Sequence, residues 1–356
     1  MTSIADPIAR ERDYGYDLLR IAAICGVVSI HTFGSIAVNP AVTDPVTEWG
    51  ARLLSSGFAW TVPVFVMLSG ALTLNARAHR NGPAAFYRRR AIRILPALVV
   101  WIGVYLLLIR LMHGPISGWD IVTMVIDNGV YPHLYFLWLI TGLYAVAPVI
   151  AGFLEGGGPR RTRIFAAAAL GFTLAAYSLD SVLTATGRPH AFPQGALTIW
   201  LLYIGYFVAG RALDGVRLRG LALVASCFGV IVLGALTMAQ VAFPEVFAPF
   251  SAVFPPEYLG GVVAVLAICV FLAGGTLLSR IPIGPRLGRF IILLSEASFG
   301  VYLVHLIVLL IPNELLPGFL TRTSLPQALL AYAFILPVSF LISVVARKIP
   351  VLRLIF

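Results

Sequence analysis

The sequence is poor in charged residues. Of its 356 residues 11% are charged and 60% are hydrophobic, with a mean hydropathy of +0.94, whereas about 25% charged residues is usual in soluble domains. A soluble fold of this length has no interior large enough to bury so much apolar surface. In a bilayer the apolar side chains contact lipid, so no large protein interior is needed to bury them. The composition therefore excludes a soluble protein and indicates a membrane protein.

Cysteine is scarce as well. The chain has three cysteines, Cys25, Cys227 and Cys269, and each lies inside an apolar run. A disulfide framework or a zinc site requires more of them, or closer spacing with histidines. We expect three buried, unreactive thiols, no metal site and no permanently bound cofactor.

The apolar runs are continuous rather than alternating, so they predict helices and not the strands of a barrel. The fold class expected is all-α, with about ten transmembrane helices in one domain over residues 1–356. A tail of residues 1–17 precedes the helices, which occupy about 18–346, and a second tail of 347–356 follows. The first run contains His31 and lacks a small-residue cleavage site, so it is expected to be a retained helix rather than a signal peptide. The helices are placed at 18–37, 56–75, 94–112, 134–154, 164–183, 196–213, 218–241, 260–279, 290–311 and 326–346.

The basic residues alternate between the two sides of these helices. If the N-terminus is cytoplasmic, 20 of the 25 fall in inside segments and only Arg52, Arg188 and Arg322 in outside loops. Such a bias predicts that both termini are cytoplasmic. The net charge of +10 is then a signal of membrane topology, and nucleic acid is not an expected partner.

The first helix contains two ionisable residues, Arg20 and His31, in RIAAICGVVSIH. Eleven residues make about three helical turns, so both side chains share one face, roughly 16.5 Å apart along the axis. A guanidinium near the cytoplasmic surface and an imidazole deep in the membrane suit a ligand with an anionic head and a long thin tail, the shape of a coenzyme A thioester. The alternative is that Arg20 reaches to lipid headgroups and His31 bonds a neighbouring helix.

The ninth helix contains a second pair, Glu296 and His305, in SEASFGVYLVH. His305 lies at about the depth of His31, so the two histidines are expected to share a polar pocket. Glu296 lies two and a half turns earlier and faces roughly the opposite way. An arginine on a neighbouring helix is an alternative partner for it.

His133 opens the fourth predicted helix, in HLYFLW, at the outer surface. One interpretation is that it binds the acceptor of a reaction. The other is that it is an interfacial residue of an aromatic belt with Tyr135 and Trp138.

Arg90 and Arg93 lie in FYRRRAIRILP, at the cytoplasmic start of the third predicted helix. At a spacing of three they face the same way, and guanidinium groups near a helix N-terminus suit phosphate oxygens. Arginines are also expected here from the charge bias alone.

Two further segments are informative. In VPVFVMLSG, Pro63 and the pair Ser69 and Gly70 predict a kink or a close helix contact rather than a catalytic serine. The outer loop 242–259 is rich in Phe and Pro. It either presents aromatic faces to a sugar or lies along the lipid surface.

These motifs, in this order, resemble the membrane-bound acyltransferase-3 family of bacterial O-acyltransferases, in its short membrane-only form. The chain departs from the family pattern mildly, with Ala71 after the serine–glycine pair and Tyr135 in HLYFLW. The resemblance implies that a multi-pass protein of the bacterial plasma membrane transfers an acyl group, usually acetyl, from cytoplasmic acyl-CoA. The implied acceptor is a hydroxyl of an envelope glycan, a glycolipid or a similar molecule.

The resemblance also implies roles for particular residues. His31 is the essential histidine, and Arg20, Arg90 and Arg93 serve the donor. We expect His31, kept neutral by apolar surroundings, to act as a general base or to carry the acyl group itself, with His305 as a second catalytic residue that orients it or bonds the acceptor. The substrate-binding residues expected are His133, Tyr135, Glu296 and Tyr302.

Two other functions remain open at this point. A transporter or exporter of a polysaccharide or lipid would also have ten helices with buried polar groups, and a membrane domain that only binds a lipid or partner would not need a deep histidine in register with Arg20. The sequence leaves the acceptor, the acyl chain and the oligomeric state undetermined.

Overall fold

The apolar runs form helices in the computed structural model of the chain, which describes residues 13–37, 39, 42–189, 194–315 and 324–356. No strand occurs among these residues, which confirms the all-α class. Nine helices in the described ranges are long and apolar enough to cross a membrane. Residues 1–12 of the predicted tail and Arg322 lie outside the described residues.

The helices that carry the argument below are numbered in chain order. They are α1 (Gly15–Ala37), α2 (Pro45–Ser56), α3 (Thr61–Thr73), α4 (Ala76–His79), α5 (Gly82–His113), α6 (Gly118–Ile126), α7 (Tyr135–Glu155), α8 (Gly158–Ala185), α9 (Ile204–Ala212), α10 (Gly220–Ala242), α11 (Pro244–Val253), α12 (Gly261–Leu278), α13 (Pro285–Leu315) and α14 (Leu325–Ala346).

The second predicted helix, 56–75, begins earlier than expected and is broken. Asp44 caps α2 by accepting the backbone N–H groups of Val46 and Thr47, and Pro45 occupies the first turn. The chain turns at 57–60 before α3 continues the span. The assignment of Arg52 to an outside loop was therefore wrong, since it lies on α2 and pairs with Glu48 at 2.7 Å.

The predicted helix at 196–213 is shorter and partly 3₁₀: a 3₁₀ turn at Ile199–Tyr203 leads into α9. Its position depends on glycine. A Cβ at Gly70 of α3 would overlap the carbonyl oxygen of Phe207, and one at Gly210 would overlap that of Met67. The backbones of α3 and α9 thus touch, which confirms the close helix contact predicted for the Ser69 and Gly70 pair.

Helix α5 begins at Gly82, twelve residues before the predicted start at 94. The arginine-rich segment is therefore helical throughout, and Arg90 and Arg93 lie in its third and fourth turns. The prediction that a helix N-terminus adds a positive dipole at these arginines was wrong, because that effect is confined to the first turn.

Both ends of the described chain contact the helix bundle. Near the N-terminus, Asp13 pairs with Arg217. At the other end, Arg347 reaches Glu296 of α13, and the last residues pack back on the bundle, since the Trp101 indole donates to the carbonyl of Ile355 at 2.8 Å. Residues 347–356 are thus partly seated rather than a free tail.

Candidate active site

Three histidines from distant parts of the chain meet inside the bundle. The ring centroid of His31, on α1, lies 5.2 Å from that of His305, on α13, and 6.3 Å from that of His133. The rings of His133 and His305 are 5.4 Å apart. Helices α1 and α13 run parallel, so residues counted from matching ends reach the same depth, as the sequence predicted for His31 and His305.

The ring of His305 is held in a defined state. Its Nδ1 lies 2.8 Å from the carbonyl oxygen of Tyr302 and 3.1 Å from that of Val301. Because a carbonyl only accepts, Nδ1 carries the proton and donates, and Nε2 is left as an acceptor. That Nε2 is buried without a partner among the described residues, next to the ring of His31. His305 is therefore arranged to accept a hydrogen bond.

His133 is not at the outer surface, so its interpretation as an interfacial residue was wrong. It is 1% exposed, because the segment before α7 turns inward, with Val130 and Leu134 buried on either side of it. Its ring packs edge-on against Tyr105, with centroids 4.8 Å apart. A histidine before a helix start reads as a surface residue in the sequence, and only the fold of this turn places it in the centre.

His31 differs from its two neighbours in exposure. His133 and His305 are each 1% exposed, whereas His31 keeps accessible surface. Of the three histidines, His31 is therefore the most accessible.

An inner cavity extends between α1, α3, α5, α7 and α13 on the side where α1 begins. It carries the three arginines predicted to serve the donor, and Tyr302 lies at its deep end beside His133 and His305. Its other walls are mainly apolar. The lining residues are Arg20, Val27, Val62, Phe65, Ser69, Leu72, Thr73, Arg90, Arg93, Ile94, Phe136, Ile140, Tyr144, Ser295, Glu296, Ser298, Phe299 and Tyr302.

Arg20 is oriented by a short polar chain at the mouth of this cavity. Its Nη1 donates to Ser295 Oγ at 3.1 Å, and Ser295 donates in turn to Asp17 Oδ1 at 2.7 Å. The Asp17 carboxylate lies 4.0 Å from the guanidinium. Ser295 and Asp17 were not singled out in the sequence, where neither stands apart from ordinary helix-terminal residues.

Arg90 and Arg93 both line the inner cavity, as their spacing predicted. The guanidinium of Arg90 lies 4.9 Å from the ring centroid of Tyr144 and 5.6 Å from that of Phe86. Contact with two aromatic rings holds the planar group in place, and a guanidinium held by its faces can donate N–H hydrogen bonds to an anion at its edge.

Glu296 also lines this cavity, and it has the alternative partner predicted for it. Arg347, just after α14, donates to its carboxylate at 2.7 Å. The mouth of the cavity thus contains one glutamate that is already paired, so the charge it presents is net positive.

Tyr135 and Tyr302, the two tyrosines predicted to bind substrate, have buried hydroxyl groups. Tyr302 packs on His133 with ring centroids 5.3 Å apart, and its buried hydroxyl has no partner among the described residues. The hydroxyl of Tyr135 is likewise buried without a hydrogen-bond partner among the described residues. Of the two predicted substrate-binding tyrosines, Tyr302 lines the inner cavity and Tyr135 lines neither cavity.

The second cavity is an outer cavity, which the sequence did not predict. Its lining is Ile30, Gly34, Ser55, Ser56, Ala59, Tyr177, Gln194, Tyr203, Val241, Pro256, Glu257, Tyr258 and Leu259. Glu257 and Tyr258 belong to the Phe- and Pro-rich loop 242–259, for which two roles were open. The two parts of this loop differ. Helix α11 exposes its apolar residues, whereas the residues from Pro256 to Leu259 line the cavity.

The two cavities approach His31 from opposite directions along α1. Val27 lines the inner cavity and Gly34 lines the outer one. His31 is four residues after the first and three before the second, one helical turn from each. His31 itself is in neither lining, and it lies between the two cavities along α1.

The three cysteines are free thiols that are each partly exposed, so the prediction that they are buried was wrong; they lie on helix faces that lack a full covering of neighbours. Within the described ranges, no group of three or more His, Cys, Asp or Glu side chains is arranged to hold a metal ion.

Comparisons with known proteins agree with this architecture. The sequence profile of the family described as "Acyltransferase domain" matches residues 13–347. The chain is also similar to Nodulation protein 10 of Rhizobium leguminosarum bv. viciae, 33% identical over 100 residues, which is 28% of this chain. The match spans about a quarter (26%) of that relative's length. No solved structure matches the chain. Because the family profile covers nearly all of the described helices, the chain belongs to the acyltransferase-3 family of multi-pass membrane proteins.

Proposed function

We propose that the protein transfers an acyl group, most simply acetyl, from cytoplasmic acyl-CoA to a hydroxyl of an envelope glycan or glycolipid, in the bacterial plasma membrane. Family membership supports acyl transfer. The observation that carries the finer proposal is the placement of His31 one turn from each of two cavities, one with arginines at its mouth and one without.

The donor occupies the inner cavity in this mechanism. Its phosphates bind Arg20, Arg90 and Arg93, and its pantetheine arm follows the apolar wall toward Tyr302. Charge-assisted hydrogen bonds to phosphate are stronger than neutral ones, so the head group is the anchor. The narrow tail delivers the thioester to the level of the histidines.

His31 is the general base. One ring nitrogen takes the proton of the acceptor hydroxyl, whose oxygen attacks the thioester carbonyl carbon, and Nε2 of His305 accepts a hydrogen bond from the other ring N–H of His31. The unpartnered hydroxyl of Tyr302 donates to the carbonyl oxygen as negative charge develops there. The carbon–sulfur bond then breaks, and the leaving thiolate takes the proton from the His31 imidazolium to give free coenzyme A and neutral His31.

The release of free thiol from acetyl-CoA by purified protein, with an envelope glycan extract as acceptor, tests the proposal. His31→Ala should lower the rate by about 10²- to 10⁴-fold, the range for loss of a general base. His113→Ala, at an exposed histidine at the end of α5, is the control and should leave the rate unchanged. Full activity in a well-folded His31→Ala variant would exclude His31 from catalysis.

A further inference from the structure

The outer cavity is the part of the molecule that neither the donor site nor the histidine cluster uses. Among the described residues, its polar lining consists of hydroxyl groups, one amide and the Glu257 carboxylate, with no basic side chain. Arg52 lies beside the cavity and donates to the carbonyl of Val241, a lining residue, at 3.2 Å. Arg52 is paired with Glu48, so its charge is already compensated.

This lining distinguishes between classes of ligand. A phosphate or carboxylate entering the cavity would be repelled by the negative charge of Glu257, and the described lining supplies no cation to compensate it. A neutral molecule rich in hydroxyl groups could form hydrogen bonds with the serine, tyrosine and glutamine side chains and with the Glu257 carboxylate of the lining. The ligand favoured is therefore an uncharged sugar.

Glu257 is held at the wall by a partner that a sugar can replace. The hydroxyl of Tyr177, on α8, donates to Glu257 Oε2. Glu257 is exposed and Tyr177 partly exposed, so both can turn to a ligand. A carboxylate accepts hydrogen bonds at two oxygens, which matches two adjacent hydroxyls of a pyranose ring.

Tyr258 supplies a fixed wall beside this pair. Its backbone carbonyl accepts from Tyr206 at 2.7 Å. Burial, with the charge of Glu257 as a smaller contribution, raises the pKa of Tyr258 to about 12, so its hydroxyl remains a neutral donor. Aromatic rings with a polar edge suit the apolar faces of sugars as well as their hydroxyls.

We infer that the outer cavity is the acceptor site, that it takes an uncharged sugar residue, and that Glu257 with Tyr177 determines this specificity by binding two sugar hydroxyls while a third approaches His31. The inference rests on the proposed function for the fate of that third hydroxyl. The sugar itself comes from either a free glycan or a glycolipid, since both present the same ring to the cavity.

The first measurement is transfer kinetics in nanodiscs of phosphatidylcholine, free of sugar-based detergent, with acetyl-CoA and envelope glycan. Glu257→Gln should raise the half-saturating concentration of glycan about tenfold at an unchanged KM for acetyl-CoA, and Tyr177→Phe should raise it less. Glu245→Gln removes an exposed carboxylate on α11 and should have no effect. An unchanged glycan requirement in Glu257→Gln would overturn the inference while leaving the proposed function intact.

The second measurement detects binding without turnover. A Ser56→Cys variant, with Cys25, Cys227 and Cys269 replaced by Ala, is labelled with a small maleimide in the same nanodiscs. Methyl glucopyranoside should slow labelling, and glucuronate should not; octyl glucoside below its micellar concentration serves as the lipid-linked arm, and stronger protection by it identifies a glycolipid.

The two measurements separate the two claims. Protection by neutral sugars in a protein that releases no thiol would contradict the proposed function and support the sugar site. Absence of protection by every sugar, or equal protection by glucuronate, would overturn the sugar site whatever the transfer assay shows.

Discussion

At the scale of single residues, the sequence predicted the positions of those side chains that can be placed by counting residues along a helix. Arg20 and His31 lie on one helix, and His305 lies at a matching depth on a parallel helix. The approach of the His31 ring to the His305 ring could therefore be foreseen. Glu257 and Tyr177 could not be, because they come from a loop and a helix eighty positions apart in the chain. The prediction for His133 was wrong for a related reason. His133 precedes α7, so its burial depends on the path of an irregular turn and cannot be found by counting along a helix.

His305 is predicted to act as a positioning residue through Nε2. His305→Leu removes the acceptor and should lower kcat about tenfold, the effect of one lost hydrogen bond of roughly 1–1.5 kcal/mol, with both KM values unchanged. His305→Gln places an amide oxygen near the same point and should restore most of the rate.

The comparison of these two variants separates positioning from packing. Both replace a side chain that is 1% exposed, so a purely structural role would impair them alike and lower the thermal stability of each. Equal loss of kcat in the two variants would therefore contradict the assigned role.

At the scale of the helices, continuous apolar runs were predictable and their interruptions were not. Helix α2 packs on α1 and α10, and α9 packs on α3. Local propensity does not report such contacts, so the break before α3 and the shortness of α9 were not foreseen. The arginine-rich start of α5 was predicted to be a loop between two helices, because charged segments at a membrane edge are often loops. Arginine is nevertheless a good helix former, and this segment is helical.

The contact between α3 and α9 leads to a prediction for glycine. Gly70→Ala should destabilise the protein by about 1–3 kcal/mol or more, because its methyl group would overlap the backbone of α9 and backbone cannot rotate aside. Gly103→Ala on α5 meets no atom within 4 Å and should be neutral or slightly stabilising. Thermal unfolding in detergent, followed by the loss of monodisperse protein, compares the two; equal stability of both variants would show that the helices separate at little cost.

At the scale of the whole molecule, nine long helices alone would put the two ends of the chain on opposite sides. Nine of the predicted crossings correspond to such helices among the described residues. The remaining one, predicted at 196–213, is a 3₁₀ turn followed by the short α9. The location of both termini on one side requires this segment to cross as well, and it stays a prediction.

The direction of the bundle decides which substrate each cavity can meet. In the predicted topology most basic residues lie on the side where α1 begins, and this charge bias predicts that the side is cytoplasmic, where acyl-CoA is available. Single cysteines at Arg286, exposed at the start of α13, and at Trp119, 74% exposed on α6, report the two sides in a background with the native cysteines replaced by Ala. In spheroplasts, a membrane-impermeant maleimide should label Trp119→Cys at once and Arg286→Cys only after permeabilisation. The reverse pattern would put the arginine-lined cavity outside the cell, where the phosphates of coenzyme A would not reach it, and the proposed donor site would fail with it.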